Sequence, residues 1–449
     1  MIVFFEVLGK LEFILLGTFA AVLLVFVFMG QSVLYALAIG YLIFFGYGIR
    51  KGHSLKEMLV FSGRGIRTVK NVVLTFLLIG ILTASWRASG SIGYIVYYAS
   101  KLCSPSVMLL LDFLLCALIS FLTGTSFGTT ATMGVICTVM STGMGLPIAM
   151  TGGAVLAGVF FGDRCSPVST SALLVSEVTH TDLYTNIGYM VRTSLVPFFI
   201  SCGIYLVLGM RYKGGSITGS TTEVLKNGYY LSPLLLIPVA AVLVMSVMRC
   251  SVKITLAVSS VSAIVLTVLV QGMPLMEVPE LCIFGYAPAN PKFAALMAGG
   301  GLISMVRVFL IVTLSSCYAG MFEGTGFLTR MQKGITTLGN HITPYGALFL
   351  TSVMTASIGC NQTLAIMLTD QLCRKTVPDD QERAIDLENT AVIIAALIPW
   401  SIAGAVPLST IGAPTVSIVF AVYLWMLPVW NFFMQVRGEH IISEKHQFT

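Results

Sequence analysis

From Asp163 to Ser171 the chain reads Asp-Arg-Cys-Ser-Pro-Val-Ser-Thr-Ser, a carboxylate and four hydroxyls around a proline, at the end of a long apolar run. Proline lacks an N–H and clashes with the preceding turn, so a helix stops there and the hydroxyls line the unwound turn. A carboxylate inside so apolar a stretch marks a functional site by default, because burying its charge is expensive. Asp163 could ligate a cation or exchange a proton; the alternative is a capping Asp paired with the adjacent Arg164. A second run, Thr123–Thr132 (TGTSFGTTAT), holds two glycines and six hydroxyls between apolar stretches. Glycine permits unwinding, which frees helix-end carbonyls for a cation while the hydroxyls add neutral ligands. Against this, single Ser and Thr residues often back-bond within a helix. Asn361-Gln362-Thr363 matches a glycosylation sequon but lies in a third polar break and reads better as a site lining.

These groups need elements to hold them, and composition says which kind. Of 449 residues 56% are hydrophobic and 10% charged, against roughly 25% charged in soluble chains. A water-soluble enzyme of this length could not cover its exterior, and disorder is excluded on the same count. At roughly 20 residues per crossing, the chain makes an all-α polytopic membrane protein with about 11–13 membrane segments. Runs such as Phe13–Met29 are apolar on every face, which disfavours a β-barrel. Arg50, Lys51, Lys56, Arg64, Arg67 and Lys70 face one acid, Glu57, in the segment 50–70. By the positive-inside rule that segment, and with it the N-terminus, is cytoplasmic. A first helix retained rather than cleaved as a signal peptide is expected, with location in the cell (inner) membrane. The bases flank apolar helices without interleaved aromatics, so nucleic acid is not a partner. The ten cysteines never approach closer than 13 positions, and His180, His341, His440 and His446 lack metal spacing.

The two halves look related. SWRASG (Ser85–Gly90) matches MFEGTG (Met321–Gly326) in place, Ser104–Pro105 matches Thr343–Pro344, TGTS (Thr123–Ser126) matches GCNQ (Gly359–Gln362), and Ser166–Pro167 matches Pro399–Trp400. Four landmarks in one order argue for internal duplication, and repeats with broken helices point to a secondary transporter of inverted topology. The expected division is N-terminal helices in 1–49, a first repeat in 50–210, a polar linker in 211–230, connecting helices in 231–298, a second repeat in 299–436 and a polar tail in 437–449. Re-entrant segments accompany the broken helices.

TGTSFGTTATMG, followed by GAVLAGVFFGDRCSPVSTSALL, resembles the NhaC family of sodium/proton antiporters, whose patterns there are TGTSFGTAATVG and GDKxSPLSDTTNL. GILTASWRASG is similar to the family's ALIGTWLASG, and LENTAVIIAALIPWSIAGA (Leu387–Ala405) resembles LEDSGTVTSPLIPWNTCGA. The likeness covers most of residues 55–205 and 300–430. It implies two inverted repeats and antiport driven by sodium or proton gradients, with some members exchanging organic acids. Departures are informative: Thr170 replaces an Asp, Asn389 replaces another, Val392–Ala395 replaces a polar stretch and Ser401 replaces an Asn. Arg87 stands where the family is apolar, Glu323 is its repeat equivalent, and Asp112 is a further acid in an apolar run.

The expected function is therefore a secondary active transporter exchanging sodium and/or protons by alternating access. The alternative is a sodium- or proton-coupled exchanger of a small organic acid or amino acid. Candidate ion or substrate ligands are Thr123, Gly124, Thr125, Ser126, Thr129 and Thr130; Asp163, Ser166, Ser169, Thr170 and Ser171; Asn361, Gln362 and Thr363; and Glu388, Asn389 and Ser401. Arg87 and Glu323 are expected to face one another as a gate or to bind opposite ends of a zwitterion, since Arg grips carboxylates bidentately; the plainer alternative is that both end helices in the headgroup region. No H-E-x-x-H metal signature appears, an enzyme is not expected, no cofactor beyond the coupling ion is expected, and sodium at Asp163 is the one metal site. A channel would need a continuous polar ring. The bilayer and a small solute are the partners, with a homodimer left open.

Overall fold

The computed structural model describes residues 10–29, 31–68, 70–102, 104–212, 225–248, 250–327 and 343–436. Among these no β-strand forms, and one isolated bridge joins Tyr286 to Gly299. The middle of the expected linker (213–224), the tail (437–449), the first nine residues and His341, His440 and His446 lie outside them.

The chain runs through α1 (Lys10–Phe28), α2 (Val33–Arg50) and α3 (Leu55–Thr68). Next come α4 (Lys70–Ser89) and α5 (Ser91–Leu102), bent by 61° around Gly90, whose φ of 84° is left-handed. A first set of broken helices follows: α6 (Pro105–Thr123), α7 (Ser126–Thr129), a π turn (Thr130–Gly134) and α8 (Val135–Gly143), then α9 (Ile148–Cys165) and α10 (Thr170–Thr179). Connecting helices are α11 (Leu183–Arg211), α12 (Ile237–Val247), α13 (Val252–Leu269), α14 (Val278–Phe284) and α15 (Pro291–Met297). After α16 (Val306–Gly324) comes a second set: α17 (Pro344–Gly359), α18 (Gln362–Cys373), α19 (Asp380–Asn389), α20 (Ala391–Leu397) and α21 (Ile402–Thr410), with α22 (Val422–Val436) last.

Among the described residues four helices are long and apolar enough to cross a bilayer alone, or six if each bent pair is one span. The further crossings expected from sequence fall on broken or shorter helices such as α2 and α13. Large apolar side chains cover the outside; Leu42, Phe199 and Leu269 are 69%, 67% and 77% exposed. Such a surface is stable only against lipid, and the backbone inside it must bond to itself, which the helices achieve.

Two close contacts hold the helices that matter. A Cβ on Gly158 would collide with the carbonyl of Phe113, and one on Gly162 with Ser120 and Phe121, so α9 lies backbone-to-backbone on α6. Ser120 Oγ donates to the Val159 carbonyl at 2.5 Å across this contact. Small residues four apart permit such approach, which is how helices associate without a hydrophobic driving force. In the same way α3 meets α16 at Gly65 and Gly320. Gly162→Val is expected to abolish folded, monodisperse protein in detergent. Gly143→Ala, whose added Cβ would meet nothing within 4 Å, is expected to leave the thermal unfolding midpoint unchanged or slightly raised.

The charged patch 374–388 is not a loop adrift. Arg383, almost wholly buried, bonds Asp370 at 2.7 Å and Asp380 at 2.5 Å, tying the end of α18 to the start of α19.

Candidate functional site

Four helix breaks build the site, and they come in two matching kinds. α6 ends at Gly124 (φ 65°, ψ 27°), and Thr125 (φ −146°, ψ 122°) then caps the Gly128 N–H at 3.3 Å. α17 ends at Cys360 (φ 52°, ψ 12°), and Asn361 (φ −148°, ψ 135°) caps the Thr363 N–H at 2.9 Å. Both are a left-handed residue followed by an extended cap, and both helices begin with proline behind a Ser or Thr cap. The other kind has two extended ends. Ser166 and Ser169 flank the break after α9, with Ser169 capping Ser171 and Ala172. Ile398 and Ser401 flank the break after α20, with Ser401 capping Ala403 at 3.3 Å. All four lie where the polar landmarks fall in the sequence.

Within each half the breaks interlock. A Cβ on Gly124 would strike the Val168 carbonyl, so the first two breaks touch through backbone, and glycine is required there by both space and φ. In the other half the Ile402 N–H donates to the Cys360 carbonyl at 2.8 Å.

Asp163 lies where three breaks converge. It is 4% exposed and accepts from Ser169 Oγ at 3.1 Å and Ser171 Oγ at 3.4 Å. Ser126 and Gln362 also interact with its carboxylate. Each of those two directly follows the cap of its break, so matching positions of two similar breaks address one acid. Gln362 meanwhile donates its amide to the Val392 carbonyl at 3.0 Å. Glu388 is fully buried, and neither carboxylate oxygen has a hydrogen-bond partner among the described residues; it interacts electrostatically with Asp163 and Arg164.

Arg164 turns away from Asp163, so the capping ion pair does not form. Its buried guanidinium donates to the Glu388 carbonyl (2.9 Å), Asn389 Oδ1 (2.5 Å), the Met190 carbonyl (3.0 Å), Thr193 Oγ1 (3.0 Å), Tyr423 Oη (3.4 Å) and Ser194 Oγ. It thereby joins α9 to α11, α19 and α22. Thr193, Ser194 and Tyr423 have no motif of their own and are found only through this contact.

The other candidates spread around this centre. Thr123 and Thr129 hydroxyls bond each other at 3.0 Å across the first break, Thr130 back-bonds to the Ser126 carbonyl, and Ser166 accepts from the Val168 N–H. Thr170 and Thr363 are exposed, and Asn389 is held by Arg164. Arg87 and Glu323 are not brought together. Arg87 donates to the Ala298 carbonyl at 3.2 Å beside Gly299, while Glu323 is exposed at the end of α16. Asp112 is buried beside the Cys137 thiol, with Oδ2 accepting from Ser141 at 2.5 Å and Oδ1 without an oxygen or nitrogen partner among the described residues.

Gly124-Thr125-Ser126-Phe127-Gly128 has the spacing of a hydrolase nucleophile elbow. That motif needs a strand entering a helix, whereas here it joins two helices and Ser126 addresses a carboxylate. Among the described residues no cluster of His, Cys, Asp and Glu is placed to hold a metal ion. The arrangement is one of oxygen ligands around an acid at crossed helix breaks, suited to a monovalent cation or a proton.

Comparison with known proteins agrees with that chemistry. The chain is 26% identical over 429 residues to the malate-2H(+)/Na(+)-lactate antiporter of Bacillus subtilis, covering 92% of this chain and 90% of the relative. It is 26% identical over 417 residues to the Na(+)/H(+) antiporter NhaC of Alkalihalophilus pseudofirmus, covering 89% of each. It is 27% identical over 359 residues to the arginine/ornithine antiporter ArcD of Halobacterium salinarum, covering 77% and 74%. The sequence profile described as "Na+/H+ antiporter family" matches residues 2–177 and 158–438. With matched, broken helices crossing at a buried acid and nearly the whole length accounted for, the chain belongs to the Na+/H+ antiporter family and is a multi-pass membrane transporter.

Proposed function

We propose that this antiporter carries sodium and protons in turn on Asp163, by alternating access between two related halves. The observation that carries the reading is the convergence of Ser126, Ser169, Ser171 and Gln362 on one buried carboxylate. When Asp163 is ionised, those oxygens and the carboxylate surround a dehydrated sodium ion. When it is protonated, the same hydroxyls solvate the neutral acid. Gln362 donates one amide hydrogen to the Val392 carbonyl and has a second N–H for the Asp163 carboxylate. Glu388, from α19, places a second carboxyl group beside the same centre. The basic segment 50–70 supports a cytoplasmic N-terminus in a cell membrane.

A sodium jump across proteoliposomes containing the purified chain tests this. Proton movement with no organic solute present is the expected result. Silence until a carboxylate or amino acid is added would instead support exchange of an organic cargo. One observation favours that second reading: Arg87 Nε is buried without a hydrogen-bond partner among the described residues, as a site for a carboxylate would require. Under the first reading Arg87→Ala and Glu323→Ala both keep sodium-driven proton movement within about twofold, since neither side chain is among the groups around Asp163. A large loss in Arg87→Ala alone would favour the organic cargo.

A further inference from the structure

A cavity of about 250 Å³ lies against the first two helix breaks. One wall is the first break, Gly124 and Thr125 with Thr132 behind them; Thr170 of the second break adjoins it. The opposite wall is not part of either set of broken helices: it is the turn from α12 into α13, with Cys250, Ser251 and Thr255. Ser251 and Thr170 are exposed, whereas Thr132 and Thr255 are buried, so the cavity deepens from the protein surface inward. Thr125 and Thr170 are the chain neighbours of Ser126 and Ser169, which hold Asp163. Thr255 is 4% exposed, yet its Oγ1 has no hydrogen-bond partner among the described residues. A buried hydroxyl left so costs about 1–3 kcal/mol unless water or a ligand meets it. None of the described lining residues is charged.

We infer that this cavity is a water-filled vestibule through which a hydrated monovalent cation reaches Asp163 from one membrane face, with the α12–α13 turn as its outer wall. The inference rests on the reading of Asp163 as the ion-carrying acid. Its volume holds about eight waters at ~30 Å³ each, enough to keep sodium partly hydrated until it meets the carboxylate. Threonine and serine hydroxyls replace lost waters without trapping the ion, as a fixed charge would. Among the described lining residues there is neither guanidinium nor ammonium to hold a carboxylate cargo.

The test uses a membrane-impermeant, trimethylammonium-bearing methanethiosulfonate on the full chain in proteoliposomes. Peptide mass mapping should show Cys250 modified, with loss of most sodium-driven proton movement; in Cys250→Ser the reagent should leave that variant's own rate unchanged. Thr255→Val should raise the sodium concentration for half-maximal rate about three- to tenfold, the size of one lost hydrogen bond. The inference is overturned if Cys250 resists the reagent, if its modification leaves transport intact, or if inhibition persists in Cys250→Ser. Labelling in Asp163→Asn separates the two readings. Cys250 modified there, in a chain whose native form moves no protons with sodium, would reject the sodium reading and keep the vestibule. An unmodified Cys250 alongside intact antiport would reject the vestibule alone.

Discussion

Asp163→Asn is expected to abolish sodium-driven proton movement in proteoliposomes while leaving the fold intact. Asparagine keeps the shape of the side chain; its oxygen still accepts from Ser169, and its amide N–H faces Ser171 Oγ, which can accept in turn. It can neither carry a proton nor offer a net charge to sodium. A fall on the order of 100-fold, about 2.7 kcal/mol, is the least that loss of the sole exchanging group should produce. Thermal unfolding supplies an independent readout. Sodium bound to the native state raises the unfolding midpoint of the unaltered chain by linkage, and that shift should vanish in the variant while the midpoint without sodium stays put. Retained antiport in Asp163→Asn would remove this residue from the mechanism.

Arg164→Ala should destabilise the fold severely. Its guanidinium holds acceptors on three other helices: the Glu388 carbonyl and Asn389 on α19, Met190 and Ser194 on α11, and Tyr423 on α22. Truncation leaves these buried acceptors without their donor and opens a void. Breaking such a buried, charged network costs about 3–5 kcal/mol, a large part of the stability of a typical domain. Low yield and a sharply lowered unfolding midpoint in detergent are the expected result. Arg164→Lys restores the charge but only three donors in place of a planar fork of five, so its midpoint should fall between the two. The family pattern has lysine at this position, which makes that variant a fair measure of what the extra donors add. An unchanged midpoint in Arg164→Ala would refute the bridging role.

The helix breaks were legible because their chemistry is local. Gly124 takes the left-handed conformation that glycine tolerates, proline halts the chain after Ser166, and Thr125, Ser169, Asn361 and Ser401 are cap residues by type. Cys360 was harder, since it adopts the same left-handed turn without being glycine. The roles of Gln362 and Arg164 depend on long-range packing; the bonds of Arg164 reach partners from 26 to 259 positions away, beyond any motif spacing. The pairing of Arg87 with Glu323 failed for a different reason. A similar local sequence at two places does not require those places to touch. The α12–α13 wall was invisible because Thr255 and Cys250 are ordinary residues for an apolar helix and acquire meaning only from the space they face.

Arg164 also sets an electrical condition on the cycle. Its charge is fixed in place by its bonds to three helices, next to two buried acids from α9 and α19. On the proposed mechanism, a vacant centre in which Asp163 and Glu388 are both ionised carries two negative charges and one positive, a single net negative charge that one sodium ion or one proton neutralises. Passing a charged centre through the low-dielectric interior costs several kcal/mol, and passing a neutral one does not. A vacant carrier in that state would stay on the side where it unloaded until the counter-ion arrives, which would make the exchange obligatory rather than a leak.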